Sequence, residues 1–361
     1  MAMTIYNIAI IGYGVSAKIF HIPFIEATTN FRLYGIVQRR PRPGSSASAD
    51  YPTIQHYKNA EDMFADKEVD VVVITTPPDS HFEFSKRALE SGKHVLTEKP
   101  FVPTSQEAEA LISIAKKHNK LISVYQNRRW DLDFLTLKHL VKNGSLGRIW
   151  EINTHFDRYQ PEPRTPWAGE LTIASGGSVI FELGTHLIDQ VYSIFKMPAI
   201  IRARMWSHLR GETDFERPDA LAAELVYSPD LSANIRISSH STEATQPRFW
   251  VRGTKGSYHK HALDPQEDQL FAGMKPTELG YCMEEPEKTK LMIVRDGSPV
   301  EYPVPCMEPQ TYLQFYRQFA AAITDDREED IPVTASEAKD VLEIIEAIIE
   351  SAKTGRDVVV R

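Results

Sequence analysis

The sequence predicts two domains, an α/β half built on a parallel sheet and an α+β half whose sheet is mainly antiparallel. Three observations carry this. At 361 residues the chain is longer than one hydrophobic core usually serves. Its first third alternates short apolar runs with amphipathic stretches, each run closing on a Gly, Thr-Pro or Lys-Pro turn. From Arg148 onward, strand-like segments follow one another with fewer helices between them.

Ile5 to Ile11 is nearly all apolar, as expected of a strand buried on both faces. It runs into GYGVSA, which puts Gly12, Gly14 and Ala17 at the spacing of a dinucleotide loop. Gly12 permits a tight turn, Gly14 permits close approach of a pyrophosphate, and Ala17 lets helix and strand pack closely. The helix start around Tyr13, Val15 and Ser16 offers unpaired N–H groups to phosphates. A glycine pattern alone also serves plain turns, but its place after an N-terminal strand favours the phosphate reading. The next strand, FRLYGIVQRR, ends in Gln38, Arg39 and Arg40, where an acidic side chain usually accepts from an adenosine ribose. Two guanidinium groups beside a Ser-rich loop suit a 2′-phosphate instead, so NADP is favoured over NAD. The bland alternative is a solvated basic turn.

A third strand, Val69 to Thr75, turns at Thr76, Pro77 and Pro78 into a helix from His81 to Ser91, closed by Gly92. The strand HVLTE then leads to Glu98, Lys99 and Pro100. Parallel sheets bind ligands beyond the carboxyl ends of their strands. Gly12, Thr75 and Lys99 all lie there, so Lys99 is expected to face the cleft beside the nicotinamide. A cis Lys99–Pro100 bond is one physical means of directing it. A helix from Ser105 to His118, capped at Thr104 or Ser105, and the strand LISVYQN complete the first domain at Gln126 and Asn127. The expected domains are residues 1–127 and 128–361.

In the second half RRWD opens a helix that ends at Gly144. GRIWEINTHFDRYQ alternates as a strand, and Met205, Leu221 to Tyr227 and Leu231 to His240 mark others. Residues 264–289 read as a loop-rich lid or solvated excursion. Ser336 to Ser351 is a firm helix whose Val341, Ile344, Ile345, Ile348 and Ile349 suit a core or an interface, packing back on the first domain being one arrangement. The most informative stretch is GGSVIFELGTHLIDQVYSIF, where helical spacing puts Glu182, His186 and Asp189 or Gln190 on one side. A histidine beside a carboxylate can accept and return a proton, although a satisfied core histidine has the same pattern. Without H-E-x-x-H or a cysteine pair at ligand spacing, metal-free chemistry is preferred. Asn127, Arg128, Trp130, Asp157, Arg158, Tyr159, Trp167 and His240 supply the mixed aromatic and polar groups that surround sugars. The alternative is ordinary sheet surface shared with a second subunit.

Composition narrows the partners. Lys plus Arg number 41 against 49 for Asp plus Glu, a net charge of -8 that disfavours a nucleic-acid surface but allows a local basic pocket. Cys282 and Cys306 read as free thiols of a reducing compartment, with one disulfide as the alternative, the N-terminus as a strand, and no stretch as a membrane span. A cytoplasmic setting is expected.

Across nearly its full length the chain resembles the Gfo/Idh/MocA oxidoreductases, through the ordered set GYGVSA, TTPPDSH, EKP, YQNRRWD and ELGTHLIDQ. The resemblance implies an N-terminal Rossmann domain and an open C-terminal sheet that joins a homodimer or homotetramer. It implies a catalytic Lys99 and a proton-transferring His186. The cofactor would then meet Gly12 to Ala17, Gln38 to Arg40, Thr75 to Pro77, His81, Glu98, Lys99 and Gln126. Lys99, Asn127, Arg128, Asp157, Arg158, Tyr159 and His186 would meet substrate. YQNRRWD, HFDRY and GTHLIDQ are most similar to NADP-dependent scyllo-inositol dehydrogenases, which implies oxidation of a cyclic polyol or sugar. Glu182 departs from the family's usual aspartate four residues before the histidine; its longer arm can reorient His186 or retune its pKa. Two other readings stand beside this one, an NADPH-dependent aldose or dicarbonyl-sugar reductase and a dinucleotide-binding regulator.

Overall fold

The computed structural model describes residues 4–160, 169–209, 211 and 215–360. The chain forms two compact units, and the division is not a single cut. The first unit takes the chain up to Asn127 together with Gln266–Tyr281 and Gln310–Lys339. The second takes Arg128–Pro265, Cys282–Pro309 and the chain from Asp340 onward.

The first unit is a six-stranded sheet of β1 (Tyr6–Ile11), β2 (Phe31–Val37), β3 (Gln55–Tyr57), β4 (Val71–Ile74), β5 (His94–Thr97) and β6 (Ile122–Val124). Its order is β3-β2-β1-β4-β5-β6 and every pair is parallel, the doubly wound arrangement. All four residues of β4 are buried, as the Val/Ile run requires of a strand covered on both faces. Helix Ser105–Lys117 starts at a reciprocal cap, in which Thr104 Oγ1 accepts from the Glu107 N–H and the Glu107 carboxylate accepts from that of Thr104.

Helix Thr311–Asp325, which the sequence reading passed over, belongs to this unit. Its Tyr312, Phe315, Tyr316 and Phe319 follow helical spacing and enter an aromatic cluster with Phe24, Phe31 and Tyr125. Part of the expected lid is also structured. Gln266–Phe271 is a helix with Leu270 buried, Phe271 edge-on to Phe20 at 5.9 Å, and Gln266 Oε1 accepting from the Tyr312 N–H at 3.0 Å. Apolar burial makes this segment part of a core rather than a solvated excursion.

The second unit carries nine strands: β7 (Ile149–Asp157), β8 (Ile200–Trp206), β9 (Ala220–Ser228), β10 (Leu231–Ser238), β11 (Pro247–Gly253), β12 (Gly256–His261), β13 (Thr289–Arg295), β14 (Ser298–Tyr302) and β15 (Val358–Val359). Their order is β14-β13-β12-β11-β7-β10-β9-β8-β15. The pairings are antiparallel except β7 with β10, so the sheet is mixed and mostly antiparallel. β7 shows the alternation plainly, with Ile152, Thr154 and Phe156 buried between half-exposed Glu151, Asn153, His155 and Asp157. Helix Thr185–Phe195 packs on β7 and β10. RRWD does not open the next helix directly: Asn127–Trp130 is a 3-10 turn, Asp131 turns extended, and the helix runs Leu132–Lys142. No helix among the described residues is long and apolar enough to cross a membrane.

Candidate active site

The glycine loop of the first unit is locked against the end of β4. Gly12 has φ +104°, and a Cβ there would lie 2.8 Å from Thr75 Oγ1 and 3.1 Å from the Thr75 carbonyl oxygen. Only glycine fits both the backbone and the space. Gly14 differs: an added Cβ would meet nothing within 4 Å, so the space above the loop is open to a ligand. Ala17 is fully buried, and Val15 is exposed beside the loop. The turn that follows, Ser16–His21, is of π type and carries His21 into the core. Open space at Gly14 and backbone donors at the following turn fit the pyrophosphate of a dinucleotide.

Gln38 does not offer its amide outward. Its Nε2 donates to the Ser45 carbonyl at 2.8 Å and its Oε1 accepts from the Ala47 N–H at 2.8 Å. The residue that usually addresses the ribose therefore folds the basic loop instead, and Arg39 and Arg40 stand exposed on that loop.

Glu98 is the buried hinge of the site. Its Oε1 accepts from Ser16 Oγ at 2.5 Å and meets His21 Nε2 at 3.0 Å, while Oε2 accepts from the Lys99 N–H at 2.9 Å. Tyr316 OH lies 2.6 Å from His21 Nδ1. Burial pushes the Glu98 carboxyl up, but the hydrogen bond and charge of His21, with Lys99 and Ser16, outweigh it and bring the pKa down to about 2. Lys99 is half-buried and its bond to Pro100 is cis. His81 is 1% exposed, with Nδ1 2.9 Å from the Pro100 carbonyl oxygen and Nε2 2.8 Å from that of Thr76; a neutral ring donates to one of the two. Burial lowers its pKa. It ties the Lys99–Pro100 turn to the Thr76–Pro77 turn, which Ser80 Oγ also holds by donating at 2.7 Å. Gln126 and Asn127 are buried at the end of this unit.

In the second unit His186 is 6% exposed, its ring 6.4 Å from that of Phe156. The guanidinium groups of Arg128 and Arg158 lie 5.0 and 4.8 Å from the same Phe156 ring. Strand alternation puts Phe156 and Arg158 on one side of the chain, where Arg128 and His186 meet the Phe156 ring. It sends Asp157 the other way, where its Oδ2 pairs with His155 Nδ1 at 3.0 Å. Tyr159 is 63% exposed and edge-on to His240. Trp130 is buried; Trp167 falls outside the described residues.

Asp189 and Gln190, expected beside His186, are committed elsewhere. Asp189 takes two hydrogen bonds from Arg129, at 2.8 and 2.7 Å. Gln190 donates to the Arg128 carbonyl at 2.6 Å and accepts from Arg248 Nη2 at 2.6 Å. Arg248, 1% exposed, also binds Asp133 at 3.1 Å. This network fixes the helix that bears His186. Glu182 is exposed and lies in a second π-type turn, Ile180–Gly184, which leads directly into the helix that bears His186.

Sequence reasoning passed over His21, Tyr316, Arg129 and Arg248. The helical period of residues 312–323 was a usable signal for Tyr316; nothing local marks the partners of the other three. A cleft of about 540 Å³, lined in part by Asp70, Lys93 and His94, lies at the amino ends of β4 and β5. It is the wrong end of a parallel sheet for the expected chemistry, and the Lys93 ammonium is spent on the carbonyls of Asp66 (2.6 Å) and Val69 (3.0 Å). Among the described residues no cluster of three or more His, Cys, Asp or Glu is arranged to hold a metal ion.

Residues 6–126 match the NAD-binding Rossmann fold of an oxidoreductase family, and residues 138–360 match that family's C-terminal alpha/beta domain. An uncharacterized oxidoreductase of Schizosaccharomyces pombe is 34% identical, over 97% of this chain and 98% of its own. The scyllo-inositol 2-dehydrogenase (NADP(+)) of Bacillus subtilis is 33% identical, over 98% of this chain and 95% of its own. Among solved structures, yvaA from Bacillus subtilis superposes with a TM-score of 0.91 at 31% identity, covering 100% of both chains.

Proposed function

The chain belongs to the Gfo/Idh/MocA oxidoreductase family, and from that premise we propose that it is an NADP-dependent dehydrogenase of cyclic polyols or sugars, acting most nearly as a scyllo-inositol dehydrogenase. That it is a dehydrogenase or reductase follows from the family and its relatives. The observation that carries the cofactor reading is the Gln38-braced loop, which presents Arg39 and Arg40 where a carboxylate would select NAD. The polyol reading is supported by the similarity to the Bacillus subtilis enzyme.

NADP, when bound, supplies the hydride acceptor. Lys99 donates a hydrogen bond to the reacting oxygen and stabilises the charge that develops there. Glu98 holds the Lys99 backbone, and His186 takes the hydroxyl proton. Glu182 sets the basicity of His186 through its charge. Asn127, Arg128 and Arg158 orient the substrate hydroxyls. Asp157 and Tyr159 fit an interface between copies better than a substrate contact, because Asp157 is on the β7 face opposite Phe156. That face also carries Trp250, 44% exposed with Arg252 stacked on its ring at 3.9 Å, and it suits a homodimer.

The test is reduced-nicotinamide formation over a panel of inositols and aldoses, with NADP and NAD side by side. NADP-dependent oxidation of an inositol is the expected result. Activity only in the direction of carbonyl reduction would assign the reductase reading. Dinucleotide binding without any turnover would assign the regulatory one.

A further inference from the structure

One cation joins the glycine loop to the loop after β2. Lys18 follows Ala17 inside the π-type turn, and its Nζ lies 3.2 Å from Ser45 Oγ, 4.4 Å from the centre of the Tyr13 ring and 3.8 Å from Asp50 Oδ2. Tyr13 OH donates to the same Asp50 oxygen at 2.6 Å. The ammonium thus bridges the second residue of the glycine motif and the segment that continues from Arg39 and Arg40. That segment is ordered where Lys18 reaches it: Gln38 binds the backbone of Ser45 and Ala47, and Arg42 and Ser45 exchange backbone hydrogen bonds of 3.2 and 2.9 Å.

A lysine laid on an aromatic ring and steadied by a hydroxyl is a preorganised cation. Its carboxylate partner is a loose one. The Lys18–Asp50 pair is long at 3.8 Å and its side chains are 29% and 46% exposed, so it is worth little and is readily exchanged for a better anion. A phosphate dianion with three acceptor oxygens is such an anion.

We propose that Lys18 is a further contact for the 2′-phosphate of the cofactor, with Ser45 as a hydroxyl donor beside it and Asp50 as the counter-ion that the phosphate displaces. The proposal rests on the NADP reading above. It makes Asp50 a residue of two functions, acceptor for Tyr13 and competitor for Lys18.

Calorimetric titration of the full chain with 2′,5′-ADP and with AMP tests it, because the two probes differ in the 2′-phosphate alone. Lys18→Met should weaken 2′,5′-ADP about tenfold and leave AMP within about twofold, and Lys18→Arg should restore most of the loss. Asp50→Asn keeps an acceptor for Tyr13 but removes the charge, and should tighten 2′,5′-ADP about threefold. Equal losses for both probes in Lys18→Met, no loss at all, or weaker binding in Asp50→Asn would each overturn the assignment. If the unaltered chain bound the two probes equally, the NADP reading itself would fail. A preference kept intact in Lys18→Met would remove Lys18 alone.

Discussion

His21 and Glu98 meet inside the first unit, Nε2 to Oε1 at 3.0 Å, although 77 residues separate them. The pair joins the turn after the glycine motif to the residue before Lys99. Through its second oxygen Glu98 also holds the Lys99 backbone at 2.9 Å. The turn after the glycine loop and the backbone of the lysine are thus held by one carboxylate.

That carboxylate should be visible in acid. Its pKa falls from 4.5 to about 2 on folding, so its stabilisation is complete above pH 4.5 and is lost as pH falls towards 2. The shift corresponds to on the order of 3 kcal/mol. Urea unfolding followed against pH should show Glu98→Gln less stable at pH 7 and with a flatter decline below pH 4.5. A decline of unchanged steepness would remove Glu98 as its source.

Lys99→Met should cut turnover by ~100-fold or more, the scale of losing a group that hydrogen-bonds the reacting oxygen. NADPH affinity, measured by fluorescence titration, should change less than about threefold, because binding rests mainly on the glycine loop and the arginines. Equal loss of both in a folded variant would contradict the assigned role.

Replacing Arg39 and Arg40 together by alanine should weaken NADPH by roughly 2–4 kcal/mol, two charge-assisted contacts, and leave NADH nearly unaffected. An unchanged ratio of the two affinities would rule the arginines out as the phosphate clamp.

Gly12→Ala should reduce dinucleotide affinity and lower stability by about 1–3 kcal/mol, since the new methyl meets Thr75 at 2.8 Å on a backbone at φ +104°. Gly14→Ala meets no protein atom, so it should spare stability and weaken binding alone. Thermal melts paired with titrations separate the two.

Arg129→Met should cost about 3–5 kcal/mol, because it leaves the buried Asp189 carboxylate without the guanidinium that holds it from two sides. A loss below about 1 kcal/mol would show that the pair does not brace the His186 helix.

Much of the first unit was legible because each of its signals is local. Apolar runs define buried strands, and the turn from Ile11 into Gly12 needs a residue without a Cβ. Thr104 and Glu107 announce a helix start within four residues. The π-type turns at Ser16–His21 and Ile180–Gly184 were not legible, because an α-helical spacing was assumed and only tertiary packing selects the wider turn. The helix Thr311–Asp325 had a readable period but no local sign that it returns to the first sheet.

By itself the sequence determined the parallel sheet, the glycine loop, the basic end of β2 and the candidacy of Lys99 and His186, all properties of neighbouring residues. Tertiary structure decided which side chains are spent on support. Gln38 turns back to brace its loop, His81 joins two turns, and Asp189 and Gln190 are consumed by Arg129 and Arg248. It also decided that Asp157 leaves the His186 cluster, and that Glu98 is held by His21. A buried polar group must find a partner wherever the fold brings one, and those of Asp189, Gln190 and Glu98 lie 60, 58 and 77 residues away in sequence.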